Sequence, residues 1–435
     1  MKVLLTAFAM DAHLNGVVPL AWALRTAGHE VRVASQPALT GSITRAGLTA
    51  VPVGTDHRID EVMGAAAPGV FALHGNPDYL EVRPELLGGD FLVASHTMLT
   101  AVYYAVINND SMVDDLVDFV RWWRPELVIR EPFTFAGAVA AQAGGAVHAR
   151  LLWGPDLFLR MYDRFRQVLD AAPAALRDDS LREWLTWTLG RYGEEFHPDV
   201  VTGQFTIDQM PPGARLDMHR PVVGMRFVPY NGPLPAVVPH WLRRDPERPR
   251  VCLTQGITER SGTGFAGMAG AGEVLEAIAE LDAEVVATVR PAARAALPVL
   301  PSNVRIVDSV PLHAVLPGCA AVVHHGGAGT WATAALYGVP QLVLARQWDD
   351  VFRARRLEEL GAGLCLAQEP GGGAEAVRKG LARLLEEPSF AQSAGRLRRE
   401  MLATPSPNAV VPLLEERVAA LRAGGPLTSG RPAGQ

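Results

Sequence analysis

Short apolar runs alternating with amphipathic stretches set the pattern of this chain from its first residues. Val3-Leu4-Leu5-Thr6-Ala7-Phe8 is apolar on both faces, as a strand buried inside a parallel sheet must be. A polar loop is expected over Asp11–Gly16, then a helix opening at Pro19-Leu20-Ala21 and stopping at Gly28. Val31-Arg32-Val33-Ala34 and Gly47–Val53 follow as strands, and Leu127-Val128-Ile129 as another, before a helix that begins over Gly137–Ala141. Leu151-Leu152 reads as a strand end. Such alternation implies a parallel sheet with helices on its faces.

The period resumes in the second half. Strands are expected at Arg250–Thr254, Glu284–Thr288, Val304–Val307, Ala321–His324 and Gln341–Leu344, with helices between them and closing helices over 374–400 and 407–422. Between the halves, Pro211, Pro212, Pro221, Pro229, Pro233, Pro235 and Pro239 accumulate in what reads as an extended connection. The expected domains are therefore 1–215, a linker over 216–240, and 241–400. A C-terminal helix over 401–422 is expected to turn back towards the first domain, and a Gly- and Pro-rich tail over 423–435 is expected to be disordered. Two α/β domains place the expected small-molecule site in a cleft between them.

Composition narrows the class. Hydrophobic residues make up 49% of the 435 and charged ones 20%, which excludes a largely disordered chain. Lys and Arg number 40 against 46 Asp and Glu, a net −6, so no basic footprint for nucleic acid is present. Cys252, Cys319 and Cys365 lie far apart and build neither a disulfide framework nor a zinc site, which fits a reducing cytoplasm. The opening MKVLLTAFAM is interrupted by Asp11, His13 and Asn15 and does not argue for export. Each apolar run is read as broken by Pro, Arg or Asp before it reaches the ~18–20 residues of a membrane helix. The expectation is a cytoplasmic protein without a membrane segment.

The densest chemistry is His324-His325-Gly326-Gly327-Ala328-Gly329-Thr330, placed after a strand and before a helix expected from Trp331. Glycines let backbone approach a ligand closely, and a helix N-terminus offers free N–H groups to a diphosphate. The same residues also suit a tight strand–helix turn with no ligand. Thr254-Gln255-Gly256-Ile257-Thr258 leaves the first strand of the second half and could face the same diphosphate, or be a plain strand exit. Asp349 and Asp350 follow a strand end, where carboxylates bind sugar hydroxyls or an ammonium, or simply cap a helix. His13 follows the first strand, in reach of a proton-transfer role near neutrality, and Glu131 follows a strand end in the same half. Gly262-Thr263-Gly264-Phe265-Ala266-Gly267 matches a dinucleotide fingerprint, with Asp282 and Glu284 beyond it, but is offset from its strand and reads as a flexible loop. Asp56, His57 and Asp60 lack a helical His pair, so no metal site is expected there.

At HHGGAGT the chain resembles the nucleotide-sugar glycosyltransferases of antibiotic biosynthesis. The stretches VVPLAWALRTAGHEVRVA (17–34), PALTGSITRAGLTAVPVGTD (37–56), VPYNGP (228–233) and 310–330 carry the resemblance along nearly the whole chain. It is most similar to the branch that attaches TDP-deoxyaminosugars to polyketide aglycones, anthracycline and macrolide enzymes among them. The resemblance implies a GT-B fold: two Rossmann-like domains whose parallel sheets face a deep cleft.

It further implies that His325, Gly327, Gly329 and Thr330, with Thr254, Gly256 and Thr258, bind the donor diphosphate. Val310 and Leu312 would hold the nucleobase through backbone and apolar groups, and Asp349 and Asp350 would read the donor sugar where the family has Asp-Gln. That departure suits a cationic aminosugar. His13 falls on the catalytic base and Glu131 on its acidic partner. Displacement with inversion, no cofactor, no metal ion and a cytochrome P-450-like auxiliary activator follow from the same resemblance, which leaves room for a homodimer. The aromatic segment 153–196 suggests a roomy acceptor pocket. Two alternatives remain on this fold: a nonenzymatic TDP-sugar-binding auxiliary protein, and a sugar-nucleotide epimerase.

Overall fold

The computed structural model of the chain describes residues 1–65, 88–230, 232, 237–254, 271–289, 294, 301–345, 348–366 and 373–424. The chain divides into two compact units. One comprises Met1–Met210, Arg215–Arg226 and the segment from Pro405 onward, and the other Pro211–Ala214 and Phe227–Thr404.

The first unit is built on seven strands: β1 (Lys2–Thr6), β2 (Glu30–Ser35), β3 (Ala50–Pro52), β4 (Leu127–Arg130), β5 (Val147–Leu152), β6 (Phe205–Asp208) and β7 (Val222–Gly224). They pair in parallel in the order β3-β2-β1-β4-β5-β6-β7. Leu5 lies between Val33 on one side and Ile129 on the other, all three buried. The helix Pro407–Arg422 packs on the helix Val18–Thr26 and on β5 and β7 of this unit.

The second unit carries β8 (Arg250–Thr254), β9 (Glu284–Thr288), β10 (Val304–Val307), β11 (Ala321–His324), β12 (Gln341–Val343) and β13 (Gly363–Cys365), again parallel, in the order β10-β9-β8-β11-β12-β13. Alternate residues serve opposite faces. Val251, Val285 and Val323 join Leu275, Ile278 and Leu381, while Cys252, Val286 and Val322 join Val315, Leu316 and Ala334. Both faces are covered, which explains the unbroken apolar character of these strands in the sequence.

The structure departs from the sequence expectations at several places. The stretch Asp11–Asn15, expected as loop, is a helical turn anchored by the buried Leu14. The helix after the His-Gly turn begins at Ala328, not Trp331, with Gly327 as its cap. β5 extends back to Val147, hidden in the sequence by His148 and Arg150; both are buried, and Arg150 is neutralised by a two-pronged bond to Asp156 at 2.8 and 2.6 Å. The Pro-rich stretch expected as linker from 216 includes β7, the last strand of the first sheet.

Helical residues run continuously from Gly89 to Ile107, long and apolar enough to cross a membrane by length and composition, so the expectation that no run reaches that length is corrected. The only charge in that span is Asp90, in its first turn. Leu92, Leu99, Tyr104 and Ile107 are buried, and the span packs against the helices Leu157–Ala171 and Ser180–Gly190, as a core helix does. The candidate dinucleotide fingerprint 262–267 and residues 425–435 of the tail lie outside the described residues.

Burial holds several histidines neutral. It drives His96 and His325 down to about 4, and His148 and His324 down to about 3, from a free value of 6.5. As pH falls below 6.5, the unfolded chain takes protons that the folded chain refuses, so stability is lost from there downward. Burial lowers His29 as well, while buried Asp208, raised to about 6, and Asp199, also raised, act oppositely above the free value of 3.8, two groups against five. Tm is therefore expected to fall by several degrees between about pH 7.5 and about pH 5.5. Differential scanning calorimetry at the two values checks this; an unchanged or higher Tm at the lower pH contradicts it.

Candidate active site

In an open parallel sheet, the strands whose onward connections leave in opposite directions part at their carboxyl ends and leave a crevice there. Each unit has one such point, between β1 and β4 in the first and between β8 and β11 in the second. His13 and Glu131 lie at the first, and Thr254 and the turn His325–Gly327 at the second.

At the first, the backbone N–H of Glu131 donates to the Thr6 carbonyl at 3.1 Å, tying the end of β4 to the end of β1. The Glu131 carboxylate is buried and accepts from the Phe133 N–H at 3.1 Å and from the Thr134 hydroxyl. Its Oε2 lies 3.0 Å from His13 Nδ1. A carboxylate can only accept, so Nδ1 carries the proton and Nε2 keeps its lone pair. The His13 side chain is 14% exposed. Phe8 and Trp153 crowd its ring, with centroids at 4.3 and 4.5 Å, and Phe133 stands at 5.9 Å. Phe158 packs edge-on against Phe133 at 4.8 Å. The site can therefore present an oriented base beside flat apolar surfaces.

The aromatic segment expected to line an acceptor pocket is only partly there. Trp153 and Phe158 are, but Tyr162 donates to Asp179, Trp184 packs on Phe135, and Trp187 is exposed. Phe8 and Phe133, which sequence reasoning passed over, complete the group around His13. Their signal was position: Phe8 lies just past β1, and Phe133 two residues past Glu131.

At the second switch point, β8 and β11 run side by side so that Thr254 and His324 are register partners at the sheet edge. Thr254 is buried and takes part in a hydroxyl bond with Thr288 at 3.1 Å. Gly256 and Thr258 lie outside the described residues. Beyond β11 the chain turns through Gly326, whose φ of +106° favours glycine. A Cβ on Gly327 would sit 2.5 Å from His325 Nε2, so the imidazole occupies the space a side chain there would need. At Gly329 a Cβ would meet nothing within 4 Å. Thr330 is buried in the first turn of the helix Ala328–Tyr337. The first amides of that helix have no carbonyl of its own to bind, and they form a natural cradle for an anion.

His325 is buried, and its Nδ1 has no hydrogen-bond partner among the described residues. Desolvation, reinforced by the nearby Arg353 guanidinium, holds the ring neutral with a pKa of about 4. It therefore offers a hydrogen bond rather than a charge. The preceding His324 is fully buried and does different work. Its Nδ1 accepts from the Gly326 N–H at 3.0 Å, so its Nε2–H donates to Gln341 Oε1 at 2.8 Å, and the Gln341 amide donates to the Trp331 carbonyl.

Asp349 and Asp350 open the helix Trp348–Glu359 and are both engaged by Arg353, which is buried. Its guanidinium donates to Asp349 Oδ2, to Asp350 Oδ1 at 2.7 Å and to the Gly326 carbonyl at 3.0 Å. The acidic pair is thus neither a bare dianion nor a simple helix cap. Arg353 was missed in the sequence, although its spacing of three and four residues from the two aspartates is that of helical ion pairs. Val310 is buried in a cluster with Val315, Leu316 and Val322, so its side chain serves the core. Leu312 packs on the same cluster and starts a short helix, Leu312–Val315, against Ala328–Tyr337. Among the described residues, no group of three or more His, Cys, Asp and Glu could hold a metal ion.

Known proteins are similar to this chain in sequence and fold. Residues 22–256 match the N-terminal domain, and residues 272–417 the C-terminal domain, of the family described as erythromycin biosynthesis protein CIII-like. TDP-daunosamine transferase DnrS of Streptomyces peucetius is 70% identical over 97% of this chain and 98% of its own length. Aklavinone 7-beta-L-rhodosaminyltransferase of Streptomyces galilaeus is 55% identical over 99% of this chain and 98% of its own. Among solved structures, the glycosyltransferase VinC in complex with dTDP superposes with a TM-score of 0.85 at 41% identity, covering 97% of this chain and all of that one. The parallel sheets, the two switch-point clusters and these similarities together make the chain a glycosyltransferase of GT-B fold and a member of the erythromycin biosynthesis protein CIII-like family.

Proposed function

We propose that this enzyme transfers a deoxyaminosugar from a TDP donor to a hydroxyl group of a polyketide aglycone in antibiotic biosynthesis, with inversion at the anomeric carbon. The observation that carries the reading is the His13–Glu131 pair: an imidazole with its Nδ1 proton committed to a carboxylate, its Nε2 lone pair available and aromatic faces around it. Polycyclic aglycones suit such faces, because flat apolar surface is buried against flat apolar surface. DnrS, whose name carries a TDP-daunosamine donor, and the aklavinone transferase support the substrate classes.

In the reaction, the acceptor oxygen bonds to the anomeric carbon as the bond from that carbon to the diphosphate oxygen breaks. His13 Nε2 takes the acceptor proton. The resulting imidazolium is stabilised by Glu131, which also holds the ring in the useful tautomer. Thr254, Gly256, Thr258, His325, Gly327, Gly329 and Thr330 bind the diphosphate, and the helix amides receive the charge that develops on the leaving group. These donors take the place of a metal ion. Backbone groups around Val310 and Leu312 hold the thymine. Asp349 and Asp350 read the sugar, and their carboxylates complement an ammonium. The reading includes a cytoplasmic location and a cytochrome P-450-like activator that has lost haem chemistry.

His13→Ala is expected to lower kcat by about 10²–10⁴-fold, the range for losing a positioned base, with TDP affinity nearly unchanged. Glu131→Gln should cost less. Turnover assays at neutral pH paired with calorimetric titration of TDP check both, and near-normal turnover by His13→Ala refutes the mechanism.

His325→Ala should weaken TDP binding by about tenfold, the loss of one hydrogen bond to a charged group, while the far-ultraviolet circular dichroism stays unchanged. Wild-type affinity in that variant removes His325 from the donor site.

A further inference from the structure

We infer that Arg353 is a positioning residue that sets the diphosphate-binding turn and the sugar-reading carboxylates as one unit. The inference deepens the proposed function, since it rests on Asp349 and Asp350 reading the donor sugar. Its basis is the convergence of three bonds on one guanidinium that is only 2% exposed: Nε to the Gly326 carbonyl at 3.0 Å, one Nη to Asp349, the other to Asp350 at 2.7 Å. Burial disfavours the guanidinium charge, but the two carboxylates outweigh it. A lysine could hold the charge but could not fork to two carboxylates and a carbonyl in one plane.

Gly326 is the node of this arrangement. Its N–H is fixed by His324 Nδ1 and its carbonyl by Arg353 Nε, so the peptide groups on either side of the residue are held by buried side chains from different elements. The residue also lies against Asp350, where a Cβ on Gly326 would come within 2.9 Å of the Asp350 Cβ. The segment presenting His325 and Gly327 thus cannot shift without moving the guanidinium, and the guanidinium cannot move without releasing the two aspartates. An incorrectly seated sugar is transmitted to the diphosphate grip by the same route.

The test compares Arg353→Lys with wild type in three readings: TDP affinity by calorimetry, kcat/KM for a TDP-aminosugar, and kcat/KM for a TDP-deoxysugar lacking the amine. The expected result is a several-fold loss of TDP affinity together with a tenfold or greater narrowing of the preference for the aminosugar donor. A change in only one of the two, or in neither, overturns the coupling. Asp350→Asn distinguishes failure of the underlying reading: it should alter the preference between the two sugar donors, whatever it does to TDP affinity. If it leaves the preference untouched, the assignment of the carboxylates to the sugar fails, whatever Arg353 does to TDP. Should Arg353→Lys not fold, Arg353→Gln combined with Asp350→Asn avoids an excess of buried negative charge. Read against Asp350→Asn alone, the double variant should lose TDP affinity several-fold, and equal affinity in the two overturns the inference.

Discussion

Parallel pairing at the centre of each sheet is the constraint on which the candidate site depends. The chain runs from β1 through β2 to β3 on one side and then crosses back to β4 on the other, and likewise from β8 to β10 and back to β11, so the onward connections of each central pair leave in opposite directions. The carboxyl ends of those strands are therefore not roofed by a single crossover, and side chains just beyond them can meet. His13 and Glu131 are 118 residues apart in the chain and touch only because β1 and β4 are neighbours in register from Val3 and Leu127 onward. The His-Gly turn and Thr254 are brought together by the same geometry in the second unit.

Burial then assigns the histidines different tasks. His13 keeps some exposure and a carboxylate partner, a combination suited to gaining a proton during a reaction. His324 and His325 lie in a site that penalises charge, so both serve as neutral hydrogen-bonding groups. His324 fixes the turn from behind, and the proposed function gives His325 to the donor. Among the described residues, Arg353 is committed to two carboxylates and a carbonyl, so in the proposed donor site an anion is met by oriented amides.

Much of this was legible in the sequence, because the relevant signals are local. Buried parallel strands announce themselves as unbroken apolar runs, and the strand–His-His-Gly-Gly–helix junction carries its own explanation. Much of what stayed hidden depends on packing, although Arg353 was missed with its aspartates only three and four residues away. β5 was obscured because the apolar pattern is broken by His148 and Arg150, and only the fold supplies Asp156 and Thr206 to satisfy the arginine. β7 is a three-residue strand inside a proline-rich stretch, and prolines favour a linker assignment. The helical span Gly89–Ile107 has a membrane-like composition, and it reads as core only once its neighbours are known. Phe8, Phe133 and Trp153 carry no motif, and their grouping around His13 is purely a consequence of packing.

The central claim is that Glu131 holds His13 with its proton on Nδ1, leaving Nε2 to act as base. Nitrogen-15 NMR of histidine-labelled enzyme, with His13 assigned by substitution, reads the tautomer directly at a pH where the ring is neutral. The account predicts a protonated Nδ1 and an unprotonated Nε2, with that preference lost in Glu131→Ala, which removes the acceptor. A neutral ring carrying its proton on Nε2 in the wild-type enzyme would contradict it.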